Sequence, residues 1–443
     1  MKMDTNEQRQ ESQQNRREER HKRRQRSQII AYTVVGIMIL VLAAGIVFAV
    51  SKITGMSHDR QEQQNRLDDI IVSEETITAP TEPVETVPEL TNEQKLDKII
   101  DEAIIQNMPL EDKVAGLFIT TPESITGVSA AVQAGDGTKD ALSKYPVGGI
   151  VYAAKNIQSA DQLKQMIDNT KLYTSYPLFI AIDGEGSGTD AVAAAGLGTK
   201  TDSPETIGAS GDANNAYTAG TTVGSYLAEL GFNLDFAPAA DLKVVDGNAA
   251  GSSSYGTDAA TVASFVTGMQ TGLQEQKVTA AIGHFPGIGS TTQSTKNGMA
   301  STDRSAEDFR ANEFAVFQSC IDSGETKMIT VSNMAAPSLT GDNTPCSFSS
   351  AVVTDILRNE LNFRGVIVSG AMNQTAITNY YGADEAAVLA LRAGCDMIYA
   401  PENFETAYNG VLEAVQNGTI SEERVNDSLR RIYRIKYADK IEQ

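Results

Sequence analysis

From about residue 94 onward the chain alternates short apolar runs with longer stretches in which apolar side chains recur every three to four positions. The runs are 114–120, 147–153, 178–183, 232–239, 278–285, 328–334, 365–371 and 397–401. Each is bounded by Gly, Pro, Asp or Asn and is short enough for a strand buried on both faces. Helical periodicity marks 160–172, 214–230, 259–273, 306–321 and 349–361. Thr91 with 93–105 predicts an entry helix, and 421–437 a closing helix with Ser421 as its N-cap. Eight strands alternating with helices over ~350 residues predict an α/β fold, a (β/α)8 barrel of the TIM type. A doubly wound sheet would need a glycine-rich phosphate turn after its first strand, and Leu117-Phe118-Ile119-Thr120-Thr121-Pro122 is not one.

The first 93 residues follow a different pattern. Residues 29–50 are 22 consecutive positions without a charge, enough for a helix to cross ~30 Å of hydrocarbon. Residues 1–28 hold nine Lys/Arg against five acids, and subtracting that +4 from the overall −21 leaves −25 on the remainder. A basic flank before the apolar segment and an acidic one after it orient the N-terminus in the cytoplasm and the barrel outside. The expected organisation is a basic cytoplasmic tail (1–28), a single-pass transmembrane signal anchor in the cell membrane (29–50), an acidic Pro/Thr/Glu-rich extracellular linker (51–93) and the barrel (94–443). A cleaved signal peptide is the rival reading, with Ala49-Val50-Ser51 as its cleavage triplet, but signal h-regions run only ~7–15 residues. In the linker, mutually repelling acids together with Pro80, Pro83 and Pro88 favour extended chain.

Composition narrows the chemistry. The 443 residues are 41% hydrophobic and 21% charged, which fits neither wholesale disorder nor a polytopic membrane protein. The acidic body argues against nucleic-acid binding. Three cysteines, Cys320, Cys346 and Cys395, read as buried thiols, with one bridged pair as the alternative. His21 and His58 fall in the tail and linker, so His284 is the barrel's single imidazole. With one His and no thiolate cluster, no metal site is expected. Residues 283–289 are glycine-rich but lack the Lys-Ser/Thr end of a phosphate cradle, so no nucleotide cofactor is expected either.

Barrel enzymes place their chemistry at the C-terminal strand ends. Here those ends carry Asp183 and Glu185 after strand three and Asp241 after strand four. His284 and the loop 285–296 follow strand five, Asn333 strand six, Gly370 strand seven and Glu402 strand eight. Three stretches then carry a resemblance. Leu178-Phe179-Ile180-Ala181-Ile182-Asp183-Gly184-Glu185-Gly186, Phe236-Ala237-Pro238-Ala239-Ala240-Asp241, and His284-Phe285-Pro286-Gly287 with Gly289 resemble the "FIAIDQEGG", "FAPVADV" and "KHFPGHG" motifs of glycoside hydrolase family 3. Residues 362–368 resemble the approach to its nucleophile strand. The resemblance spans roughly 95–438, in order and at matching spacing. It is closest to the single-domain bacterial β-N-acetylhexosaminidases. It implies a retaining enzyme acting on GlcNAc-containing glycans of peptidoglycan, with an Asp nucleophile and a His–Asp acid/base on the loop after strand five.

Carried over position by position, that chemistry disappears. The nucleophile position is Gly370, and no carboxylate occurs between Glu360 and Asp384. The acid/base loop reads Ser294-Thr295-Lys296 where the family has Asp-Ser-His. The family's Lys before the His is Gly283, its Arg positions are Gly188 and Ser253, and its His after strand six is Asn333. A retaining mechanism needs a carboxylate on the anomeric carbon and a proton donor on the leaving oxygen. Asp183, Glu185, Asp241 and His284 remain as substrate-binding candidates. Each also has a structural reading: a turn cap for Asp183, an acceptor of backbone N–H groups for Glu185, a loop stabiliser for Asp241 and a satisfied structural histidine for His284. Lys296 is either a solvated loop lysine or a replacement acid. The leading expectation is a catalytically degenerate member that binds wall glycan or an envelope protein. The alternatives are an active β-N-acetylhexosaminidase that has relocated its acids among Glu185, Asp241 and Glu402, and a pure scaffold.

Overall fold

The computed structural model describes residues 91–184 and 190–438; the expected anchor at 29–50, the linker before Thr91 and Glu185 lie outside them. Among the described residues no helix is long and apolar enough to cross a membrane.

All eight expected strands form: β1 (Phe118–Thr120), β2 (Gly149–Tyr152), β3 (Phe179–Ile182), β4 (Leu234–Asp235), β5 (Thr279–Phe285), β6 (Met328–Val331), β7 (Val366–Val368) and β8 (Ile398–Tyr399). They run parallel, each beside its neighbour in chain order, with β8 returning to pair with β1. On the other flank a parallel bridge between Val368 and Met397, with the Ser369 N–H donating to the Met397 carbonyl at 2.9 Å, brings β7 to β8. The result is the TIM-type α/β barrel that the sequence pattern predicts. The strands are apolar on both faces because one face fills the barrel and the other lies under helices.

The principal helices are α1 (Asn92–Ala103), α2 (Asp136–Lys144), α3 (Ala160–Tyr173), α4 (Asn214–Leu230), α5 (Ala259–Glu275), α6 (Glu313–Asp322), α7 (Ala351–Glu360), α8 (Ala383–Ala393), α9 (Phe404–Gln416) and α10 (Glu422–Lys436). Thr91 caps α1 in a reciprocal box with Gln94, and the Ser421 hydroxyl caps α10 by accepting from the Arg424 N–H. The tightest helix pair is α4 with α5, and glycine makes it possible: a Cβ on Gly220 would collide with the Met269 carbonyl, and one on Gly272 with that of Tyr217.

Two expected elements are corrected. The run 114–120 is a strand only from Phe118, because Val114 and Ala115 end the short helix Leu110–Ala115. The helix expected at 306–321 breaks at Asn312, whose φ of −125° and ψ of −74° are not helical, so two helices result. Cys320, Cys346 and Cys395 are all buried free thiols.

The N-terminal end of the barrel is locked by α10. Asp396, fully buried before β8, faces Arg358 at 2.7 Å and Arg431 at 3.0 Å, and accepts from the Ser428 hydroxyl at 2.8 Å. It also takes the Ile367 N–H at 2.9 Å, so its lone pairs are met in full. Near the end of α10, the Lys436 ammonium donates to the Gly148 carbonyl at 2.8 Å. This floor leaves the opposite end of the barrel as the open mouth.

Candidate functional site at the barrel mouth

The mouth holds a cavity of about 1060 Å³ open to solvent, and it gathers most of the positions singled out in the sequence. Asp183, Asp241, Ser253, His284, Ser294, Lys296, Asn333 and Gly370 all line it. Glu402 does not; it lies exposed after β8. Among the described lining residues the carboxylates are Asp183 and Asp241.

Asp241 is fully buried and committed to its own surroundings. Its Oδ1 accepts the Ile288 N–H at 2.8 Å and the His284 N–H at 3.3 Å, and its Oδ2 meets His284 Nδ1 at 2.9 Å. The carboxylate therefore pins both ends of the His-Phe-Pro-Gly turn. The Oδ2–Nδ1 contact fixes the orientation of the imidazole ring. The carboxylate is thus spent on positioning.

Beneath the same turn lies Glu313, at the start of α6. Gly287 has φ +123°, and a Cβ there would come within 2.8 Å of the Glu313 Cγ, so only glycine lets the turn rest on that side chain. Burial, partly offset by the Arg304 guanidinium 2.6 Å away, pushes the Glu313 carboxyl up to about 7, with Asp241 adding to the rise.

At the end of β7 the space beside Gly370 is occupied from outside. A Cβ on Gly370 would lie 2.6 Å from Asn333 Oδ1 and 2.8 Å from its Nδ2. The Asn333 amide is held there by a closed set of bonds. Nδ2 donates to the Ala371 carbonyl at 2.8 Å and to Gln374 Oε1 at 3.0 Å, while Oδ1 accepts from the Ser347 hydroxyl at 2.6 Å. The loop after β5 is clamped across to this side: the Thr375 hydroxyl donates to the Lys296 carbonyl at 2.8 Å and the Ala376 N–H to the Thr295 carbonyl at 3.0 Å. Lys296 is exposed, yet lines the cavity.

On the far wall, Asp183 Oδ2 accepts from the Tyr399 hydroxyl at 3.4 Å, and the Tyr399 ring stacks on Phe236 with centroids 4.4 Å apart. Behind them Asp235, fully buried at the end of β4, accepts the Gly184 N–H at 3.1 Å. Burial first, then Asp190 and Asp183, raises its carboxyl well above the usual range. Asp190 in turn accepts from the Tyr226 hydroxyl.

Comparison with known proteins agrees with this fold. The model of the glycosyl hydrolase family 3 N terminal domain matches residues 110–435. The chain belongs to that family. A beta-hexosaminidase of Nitrosomonas eutropha is 31% identical over 263 residues, covering 58% of this chain and 74% of that protein. Among solved structures, a family 3 beta-N-acetylglucosaminidase from a Paenibacillus species superposes with a TM-score of 0.69 at 29% identity, covering 76% of this chain and 64% of that one. A beta-N-acetylhexosaminidase from Beutenbergia cavernae gives a TM-score of 0.65 at 26% identity, covering 74% of this chain and 98% of that one. The family 3 barrel is therefore shared with β-hexosaminidase-like relatives.

Tyr399, Gln374, Ser347 and Glu313 belong to the site region without having been singled out in the sequence. Tyr399 reads there as one more apolar strand residue, and the others as ordinary loop and helix residues. The signal that would have found Tyr399 is its place as the last residue of β8, the position at which barrel strands present side chains to the mouth.

Proposed function

We propose that this chain is a membrane-anchored, extracytoplasmic family 3 barrel that binds GlcNAc-containing wall glycan at its mouth without hydrolysing it. The observation that carries the reading is the pair Gly370 and Asn333: the atom that would attack the sugar is absent, and its place is taken by a carboxamide bonded on three sides. Glycine cannot form a glycosyl-enzyme ester, and losing a covalent nucleophile costs on the order of 10⁴–10⁶ in rate. Across the mouth, Ser294 and Lys296 replace the acid/base pair, and Asp241 is engaged by the turn. The relatives named β-hexosaminidase and β-N-acetylglucosaminidase support an amino-sugar ligand, and Asp183, His284, Ser253 and Gln374 supply polar groups for its hydroxyls. Anchoring rests on the 22 uncharged residues 29–50 between a basic and an acidic flank.

The test uses the full-length chain in detergent. A chromogenic β-GlcNAc glycoside should show no turnover above that of Asp183→Ala, while calorimetry detects binding of GlcNAc oligosaccharides. Turnover abolished by Asp183→Ala would overturn the non-hydrolytic reading, and absence of any sugar binding would leave the barrel a scaffold. Extraction of the protein from cells by alkaline wash without detergent would remove the anchor.

A further inference from the structure

We propose that Glu313 is a positioning residue for the mouth: its side chain props the His-Phe-Pro-Gly turn from behind, firmly when the carboxyl holds a proton and loosely once it has lost it. The proposal deepens the glycan-binding reading above by naming a residue that sets one wall of the site, and it ties ligand affinity to pH. The turn is held between two carboxyl groups. On one side Asp241 accepts the Ile288 and His284 N–H groups at 2.8 and 3.3 Å, and Asp241, His284 and Ile288 all line the mouth. On the other side lies Gly287, which closes the turn by donating its N–H to the His284 carbonyl at 2.6 Å. A Cβ on Gly287 would stand 2.8 Å from the Glu313 Cγ, so the backbone rests directly on that side chain. Glu313 is only 2% exposed. It acts on the mouth through the turn, without touching a ligand.

The surroundings of the Glu313 carboxyl are apolar and poor in donors. Phe285 of the turn stacks on Phe314, which stacks on Phe309, with centroids 5.4 and 5.9 Å apart. Neither carboxyl oxygen has a hydrogen-bond donor among the described residues. Two charged groups face it. Arg304, from the loop before the short helix Ala306–Ala311, brings Nε within 2.6 Å but outside hydrogen-bonding alignment. Asp241, after β4, opposes ionisation. His284 is bound to Asp241, and Arg310, on that short helix, is paired with Glu360. A buried carboxyl without donors favours its neutral form, and the rise to about 7 brings its change of charge into the neutral range. Losing the proton sets a second negative charge against a turn that Asp241 already grips. The carboxylate is then drawn toward Arg304, whose side chain is 15% exposed, and away from Gly287. By linkage, a ligand held through that turn binds the protonated protein more tightly.

The experiment follows hydrogen exchange in peptides spanning the turn, on the full-length chain in detergent, with rates corrected for the intrinsic pH dependence of exchange. Protection should fall by about fivefold or more between about pH 5.5 and pH 8.5 in the parent. It should stay level in Glu313→Gln, which keeps the shape of the neutral acid. In Arg304→Gln, which removes the opposing cation, the fall should move to higher pH. Calorimetry with the β-1,4-linked GlcNAc tetramer should show affinity declining over the same range in the parent and not in Glu313→Gln. Level protection in the parent overturns the proposal, as does an equal fall in Glu313→Gln. A tetramer affinity that ignores pH while protection changes also overturns it, since the turn would then not position the ligand. Failure of the tetramer to bind at any pH overturns the glycan reading alone, and the exchange data still decide whether Glu313 supports the turn.

Discussion

Asn333 stands where a side chain on residue 370 would have to go: all three polar-end atoms of its carboxamide lie within 2.8 Å of a Cβ built on Gly370. Placing a carboxylate at position 370 therefore takes more than replacing one residue.

Gly370→Asp should destabilise the barrel by about 1–3 kcal/mol through overpacking. Asn333→Ala should also cost stability, because it leaves the Ser347 hydroxyl without its 2.6 Å acceptor. Together the two changes should cost less than their sum, since the second makes room for the first. Urea unfolding of the four proteins measures the coupling; strictly additive costs would show that the two side chains do not compete for one space. On the non-hydrolytic reading proposed above, neither variant should hydrolyse a GlcNAc glycoside.

Asp241→Ala should cost about 3 kcal/mol, because two backbone N–H groups and the His284 ring lose a fully buried acceptor at once. Asp241→Asn keeps one acceptor oxygen and should cost less. A denaturation midpoint for Asp241→Ala equal to the parent's would mean the turn is held by something else.

Glu313 should make stability fall as pH rises between about 4.5 and 7. Its carboxyl is raised to about 7 in the fold, so in that window the native state holds a proton that the unfolded chain has released. The contribution is full below the unfolded value and is lost as pH climbs through the folded one, by up to roughly 3 kcal/mol. Glu313→Gln should flatten this part of the profile, which thermal denaturation across pH 4 to 8 would reveal; an unchanged slope would count against the assignment.

Asp396→Ala should be among the most damaging single changes, about 3–5 kcal/mol, since it strands Arg358 and Arg431 beside an empty buried position. Because the residue lies at the closed end of the barrel, sugar binding by whatever fraction remains folded should be unaltered, as a titration at low temperature can establish.

The barrel was legible because its strands are apolar on both faces and its loops punctuate them. Errors came where one apolar run served two elements. Val114 and Ala115 are as buried as β1 itself, so hydrophobicity alone cannot tell the end of a helix from the start of a strand. The break at Asn312 has the opposite cause: the periodicity of 306–321 continues across it, while a single pair of dihedral angles ends one helix and begins another. At the mouth, motif order was enough to bring Asp183, Asp241, His284 and Gly370 into view. What the sequence could not supply was pairing at a distance. Asn333 reaches the space above Gly370 from 37 positions away, and Tyr399 meets Asp183 across 216 positions; neither contact leaves any local pattern.

The chain's first and last barrel helices lie against each other. Arg434 Nε reaches Asp97 at 2.6 Å and Arg430 Nε reaches Asp101 at 2.8 Å, binding α10 to α1. The first helix is thus held by two charge-assisted clamps between helices rather than by a strand of the sheet. Because α10 is itself bolted to Asp396 through Ser428 and Arg431, α1 is coupled through it to the barrel floor. Breaking the two clamps would free α1 without touching any hydrogen bond of the mouth.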